Sequence, residues 1–307
     1  MHHTLLPLRG HLHAHFCSAA AAVLTVDSGD TVSFSVPDVS WGLEPPTSTT
    51  APRRKVEPRD PARDNGPCLA GPVAVRGAEP GDALEIRIEH VRTAPWGWTY
   101  AGAGMASPAH NAALGIGDAP LTLLRWTVDH AAGTATSDTG HSVPLRPFAG
   151  TIGLCPNEPH ASGWLARNCG GNMDCRELTA GSALWLPVMV PGGMLSAGDG
   201  HAAQGDGELS GTAIECPLEE LRLRLILHKQ AGLSSPKART DEGWITLGFG
   251  DSLDAAASMA SAAMLDVMMA ELSLSRPQAL ALASSCVDLR ITQMVNPVRG
   301  VHAVLKI

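Results

Sequence analysis

The run Ala78-Glu-Pro-Gly-Asp82, followed at once by Ala83-Leu-Glu-Ile-Arg-Ile-Glu-His-Val91, decides the fold class. Leu84, Ile86 and Ile88 alternate with Glu85, Arg87 and Glu89, the period-two pattern of a half-buried strand. The Pro-Gly-Asp before it combines a fixed φ, a residue free to take positive φ and a short acceptor, which is turn chemistry. The same grammar occurs upstream, where Ser28-Gly-Asp30 leads into Val32, Phe34 and Val36 alternating with Thr31, Ser33 and Ser35. A weaker copy, Leu178-Thr-Ala-Gly-Ser182, leads into Ala183-Leu-Trp-Leu-Pro187. Three strand–turn–strand units, the one at Ser28-Gly-Asp30 read as a hairpin or a tight corner, predict a mainly β fold with a β-sandwich or barrel body.

Composition points the same way. The chain has 307 residues with 32 Gly and 23 Pro, punctuation suited to many short strands. Hydrophobic residues make up 44% and charged residues 17%, which excludes a disordered chain. A net charge of −8 gives no basic face, so nucleic-acid binding is not expected. The most apolar stretch, Ala255 to Leu265, falls short of the roughly 20 residues that span a bilayer, so no membrane partner is expected. Seven cysteines without a CxxC pair read as reduced thiols, and no apolar leader follows His2-His3. Both features predict a cytoplasmic protein. The charged run from Arg53 to Asp64 reads as a solvated surface loop, and residues 97–117 as an irregular segment or pocket lining.

The tail changes character. Asp251 or Ser252 can cap a helix running to about Glu271, apolar around most of its circumference. It is expected to be buried in the tail's own core or at a subunit contact. Ser275-Arg-Pro-Gln278 has capping-box spacing and opens a second helix to about Ser285. Two strands follow, from Val287 and from Val301. The expected organisation is an N-terminal β-rich domain over 1–145, a central β domain over 146–245 and a C-terminal α+β unit over 246–307.

Polar density peaks in the central interval. Residues 199–208 hold Asp199, His201, Gln204, Asp206 and Glu208, separated by glycines and flanked by apolar strands without Lys or Arg. A core cannot bury so many polar groups without partners. Glycines let alternate side chains converge, and Asp and His suit zinc, manganese or iron. The segment is therefore a candidate for a divalent-metal or carboxylate site, the competing reading being a solvated turn or calcium loop. Asn168-Cys-Gly-Gly-Asn-Met-Asp174 is the second polar cluster, and His11-Leu-His-Ala-His15 a third, read as alternating on one strand face.

Several stretches together resemble the acetamidase/formamidase family: Gly71 to Asp82, Pro147-Phe-Ala-Gly-Thr-Ile-Gly153, Gly170 to Leu178, Leu184 to Val188, Gly198 to Glu208 with Thr212-Ala-Ile-Glu215, and the C-terminal Val287 to Ile291 with Gly300 to Leu305. They run in order over nearly the whole chain, and the short loop before Gly170 is similar to the acetamidase-type branch. The resemblance implies hydrolysis of short aliphatic amides to a carboxylate and ammonia, and a homo-oligomer, dimer or larger. It also singles out His13, sixteen residues before the glycine of the first turn, and more weakly Asp38. On this reading His13, Asp174, Asp199 and His201 are metal ligands, Glu208 moves the proton, and Asn172 and Gln204 orient the amide or the developing oxyanion. The metal is expected to be zinc, with calcium or another divalent ion as alternatives. The family commonly has His before Gly-Gly-Asn, and this chain has Cys169 there. Two other readings stay open: a metal-free amidase using Cys169 or Cys155, and a non-catalytic or repurposed β-fold binding module. No G-x-S-x-G elbow is present.

Overall fold

The structure, a computed structural model, describes residues 1–61 and 63–306. Two large sheets carry the fold. The first has nine strands, in the spatial order His2–Leu5, Thr31–Val36, Leu218–His228, Ala83–Thr93, Ala183–Pro187, Lys237–Thr240, Gly243–Gly250, Arg299–Leu305 and Val287–Gln293. The second has twelve, centred on Leu195–His201. Strands from all three sequence intervals pair within the first sheet. One buried cluster draws on both sheets: Phe34, Ile86, Leu184 and Leu223 from the first meet Val73, Ile152, Leu195 and Ala197 from the second.

The three glycine turns are corners, not hairpins. The strand before each (Leu24–Val26, Leu69–Val75 and Gly170–Asn172) lies in the second sheet. The strand after each (Thr31–Val36, Ala83–Thr93 and Ala183–Pro187) lies in the first. Gly29, Gly81 and Gly181 take φ of 95°, 96° and 96°, a region that a side chain disfavours. Each turn closes by the same backbone bond, Asp30 to Asp27 O, Asp82 to Glu79 O and Ser182 to Thr179 O, at 3.0–3.1 Å. The alternation after each turn thus reads as one strand facing a core, while the partner strand comes from far along the chain.

The tail follows local signals closely. Ser252 accepts from the Ala255 amide and opens the helix Leu253–Leu272. Ser275 and Gln278 form the capping box of Arg276–Cys286. Strands Val287–Gln293 and Arg299–Leu305 extend the first sheet. The long helix seats Ala256, Ala260, Met264 and Met268 against Val301, Ala303 and Leu305, so one face is buried in the tail's own core. The helix is longer than its most apolar stretch, and by length and composition alone it could cross a bilayer.

Two local expectations differ from what is found. Residues 96–101 form a strand and Pro108–Ala113 a short helix capped by Ser107, so most of 97–117 is regular. His11, His13 and His15 do not share one strand: His11 ends a 3₁₀ turn, and two short strands, Leu12–His13 and His15–Phe16, join different sheets.

Candidate active site

Three neighbouring strands of the second sheet bring the polar motifs together. Leu195–His201 pairs with Phe148–Gly153, which pairs in turn with Gly170–Asn172, the strand that leads into Asp174. On its other side His201 lies directly opposite Glu215. Gly150 sits in the middle strand because nothing larger fits. A Cβ there would lie 2.7 Å from Asp174 Oδ1, Asp199 Oδ2 and His201 Cε1.

The result is a buried cluster of Asp174, Asp199, His201, Glu208 and Glu215, each at most 7% exposed. Ligand atoms of Asp174, His201 and Glu208 lie within 4.8 Å of one another, as do those of Asp199, His201 and Glu215. Four carboxylates and one imidazole thus share a small volume. Burial, then the Asp199 charge, pushes the Asp174 carboxyl well above the usual range. Glu208 is raised well above its usual value by burial and then by Asp174, and Glu215 is raised by burial against the opposing pull of His201. Burial disfavours a charged His201, but Glu215 and Asp199 outweigh it and hold the imidazolium well above its usual pKa.

Gln204 fixes the chemistry of that histidine. Its Nε2 donates to the Asp174 carbonyl at 2.9 Å, so its Oε1 is the atom 3.0 Å from His201 Nδ1. Nδ1 must therefore carry a proton. Nε2 then lies 3.2 Å from both Asp199 Oδ1 and Glu215 Oε2. A neutral ring would aim a lone pair at two carboxylates, so either a second proton or a cation belongs at Nε2. Asp174 Oδ1 and Glu215 Oε2 are buried without a hydrogen-bond donor. Acceptors without donors around an imidazole of fixed tautomer suit a divalent ion, and the residues present fit one.

The other expected site residues are arranged as follows. Asp174, Asp199, His201 and Glu208 converge. Asn172 and Gln204 border the cluster with their amides engaged: Asn172 Oδ1 accepts from Thr151 Oγ1 at 2.8 Å, and Gln204 serves His201 and Asp174. His13 stands two strands away, opposite Leu69, which is itself opposite Gly198. Its Nε2 meets Ser196 Oγ at 3.0 Å and its Nδ1 the His15 carbonyl at 2.9 Å, beside a separate cavity of about 570 Å³. Asp38 is buried and holds Trp98 Nε1 at 2.8 Å and the Gly42 amide at 2.7 Å, a structural anchor. Asp206 pairs with Arg176 at 2.9 Å.

Two contributors were not singled out as ligands from sequence. Glu215 closes the motif Thr212-Ala-Ile-Glu215, but a lone acid after an apolar pair gives no hint of its partner. Asn296, in an Asn-Pro turn 122 residues from Asp174, donates to Asp174 Oδ2 at 3.2 Å. A cleft of about 630 Å³ reaches the cluster at Glu208, which stands in its wall together with Trp126, Leu209, Ile214, Arg146 and Arg176.

The family model for acetamidases and formamidases matches residues 9–169 and 161–306. The chain belongs to the acetamidase/formamidase family. Acetamidase of Mycolicibacterium smegmatis is 30% identical over 209 residues, which is 48% of this chain and 50% of that protein. The match thus spans about half the length of that curated relative. Crystal structures of acetamidases cover far more: that from Bacillus halodurans at 28% identity, TM-score 0.86 and 99% of this chain against 97% of its own, and that from Yersinia enterocolitica at 27%, 0.86, 100% and 92%. Every member of the convergent cluster except Asn296 comes from stretches on which the family likeness rests.

Proposed function

We propose that this chain hydrolyses short aliphatic amides to a carboxylate and ammonia at the Asp174–His201–Glu208 cluster, with the help of a divalent metal. The observation that carries the reading is His201: a ring whose Nδ1 proton is fixed by Gln204 and whose Nε2 faces two buried carboxylates. Family membership supports the amide substrate.

Asp174, Asp199 and His201 would hold the ion, with Glu215 beside them. A divalent metal lowers the pKa of a bound water towards about 7 and polarises a carbonyl. Glu208 takes the proton of the attacking water and delivers it to the departing nitrogen, because it is the one acid of the cluster that also lines the cleft. Its raised proton affinity favours the second half of that task. Trp126, Leu209 and Ile214 give the cleft an apolar wall for a short acyl group. Gln204 and Asn172 hold His201, Asp174 and Thr151 in place, and Gln204 also lines the cleft beside Glu208.

A thiol nucleophile has little support. Burial drives the Cys155 thiol up to about 12 and the Cys169 thiol up to about 11, the reverse of an activated cysteine. Seven free cysteines support a reducing, cytoplasmic location. Exposed Leu280, Leu289 and Ile291 on the tail support self-association, which light scattering tests.

The function is tested by ammonia release from formamide, acetamide and propionamide, before and after chelation. Loss on chelation and recovery with zinc or another divalent ion is the expected result. Activity that survives complete metal removal overturns the metal. No ammonia from any amide, with metal present, overturns the reaction.

A further inference from the structure

A second cluster starts at Cys175, the residue after Asp174, and the reaction above makes no use of it. Cys175, Glu177 and His302 are each at most 2% exposed and present one sulfur, one oxygen and one nitrogen to a common point. Cys175 Sγ is 3.5 Å from Glu177 Oε2, and His302 Nε2 is 3.4 Å from the same oxygen. Metal–ligand bonds of about 2.0–2.3 Å at tetrahedral angles leave donor atoms about 3.3–3.6 Å apart. Both distances fall in that interval; the sulfur–oxygen one also suits a thiol donating to the carboxylate, whereas the nitrogen–oxygen contact makes no hydrogen bond.

The surroundings orient the donors. His302 Nδ1 is held by Thr292 Oγ1 at 2.7 Å, while Nε2 is buried without a hydrogen-bond partner and faces the other two residues. Glu177 is divided by function. Its Oε1 faces Arg290 at 3.3 Å, Arg176 at 3.4 Å and Arg146 at 3.9 Å, and its Oε2 faces the cysteine and the histidine. Those three arginines are balanced by Glu177, Glu242 and Asp206, so the shell is neutral before any ion enters. A divalent ion with one thiolate would add a single net positive charge.

We propose that Cys175, Glu177 and His302 form a second, thiolate-containing metal site that takes zinc and serves structure, distinct from the site at His201. Its place in the fold gives it that role. Cys175 follows Asp174 directly, and Thr292 accepts the Gly207 amide at 3.2 Å next to Glu208. An ion here ties the Asp174 segment, the C-terminal hairpin and the loop of Glu208 at one point.

Cobalt(II) tests it, because only a thiolate ligand gives a near-ultraviolet sulfur-to-cobalt charge-transfer band, and the His201 site has no sulfur. The full-length protein is stripped by chelation and titrated with cobalt chloride. The band is expected at one equivalent per chain, to vanish in Cys175→Ser and to persist in Asp199→Asn, which disables the other site. Bound zinc should fall by one equivalent in Cys175→Ser. Absence of the band in the wild-type protein overturns the proposal, and so does a band that survives Cys175→Ser. If Cys175→Ser does not fold, His302→Gln gives the same readout: the band should lose intensity and affinity, and an unchanged cobalt titration overturns the site. None of these readouts depends on amide hydrolysis, so the two sites fail separately.

Discussion

Asn296 Nδ2 donates to Asp174 Oδ2 at 3.2 Å, a bond that joins the C-terminal hairpin to the acid beside Gly150. It is the only hydrogen bond to that carboxylate among the described residues, because Oδ1 has no donor. Removing it with Asn296→Ala leaves a buried carboxylate without any donor. We expect a loss of about 1–3 kcal/mol in the metal-free protein, measured by urea unfolding. The loss should shrink when saturating metal is present, since an ion at Asp174 would take over the charge. An equal loss with and without metal would show that Asp174 is not a ligand.

Gln204 supports the second prediction. Its amide fixes the Nδ1 proton of His201 from three residues away. Gln204→Leu keeps the volume and removes both bonds. Metal affinity should fall about 10–100-fold, the usual effect of deleting the partner of a ligating histidine. Isothermal titration with zinc measures it. An unchanged affinity would mean that His201 needs no orienting partner or is no ligand.

These two residues also show what the sequence made legible. Helix caps at Ser252 and Ser275 were readable because a cap is local chemistry, complete within four residues. The glycine turns were readable as turns, with hairpin and tight corner both left open at the first, because pairing is decided by strands from far along the chain. Asp174, Asp199, His201 and Glu208 stood out because buried polar density is rare in an apolar setting. Asn296 and Glu215 did not, since each acts through one long-range contact. His13 was placed by family position, and its actual partners, Ser196 and the His15 carbonyl, follow from two short strands that join different sheets.

His13 gives a pH prediction. Burial lowers its pKa from 6.5 to about 4. The folded chain therefore binds fewer protons than the unfolded chain between those values, and stability rises with pH across the window. The contribution is fully present above about pH 6.5 and is lost as pH falls towards 4. It amounts to roughly 3 kcal/mol or slightly more. His13→Asn should flatten that part of the stability profile in urea melts at fixed ionic strength. A mutant profile with the wild-type slope would show that other groups set it.

The last prediction concerns Glu208. Its backbone takes φ of 50°, and Gly211 N bonds its carbonyl at 2.8 Å, so the loop holds it in a conformation that non-glycine residues rarely adopt. That geometry turns the carboxyl inwards, within 4.8 Å of ligand atoms on Asp174 and His201, while part of the side chain meets the cleft. Asp206, two residues earlier, is committed to Arg176 and cannot replace it. Glu208→Gln keeps the shape and removes the proton acceptor. Turnover should fall about 10²–10⁴-fold, the usual contribution of a positioned acid–base group. KM should change little, and bound metal should stay at the wild-type level. Because Gln also removes one of four mutually repelling buried acids, the metal-free variant should unfold at a higher urea concentration than the wild type. A variant that loses its metal would make Glu208 a ligand. One that keeps near-normal turnover would pass the proton-transfer role to Glu215, the remaining acid opposite His201.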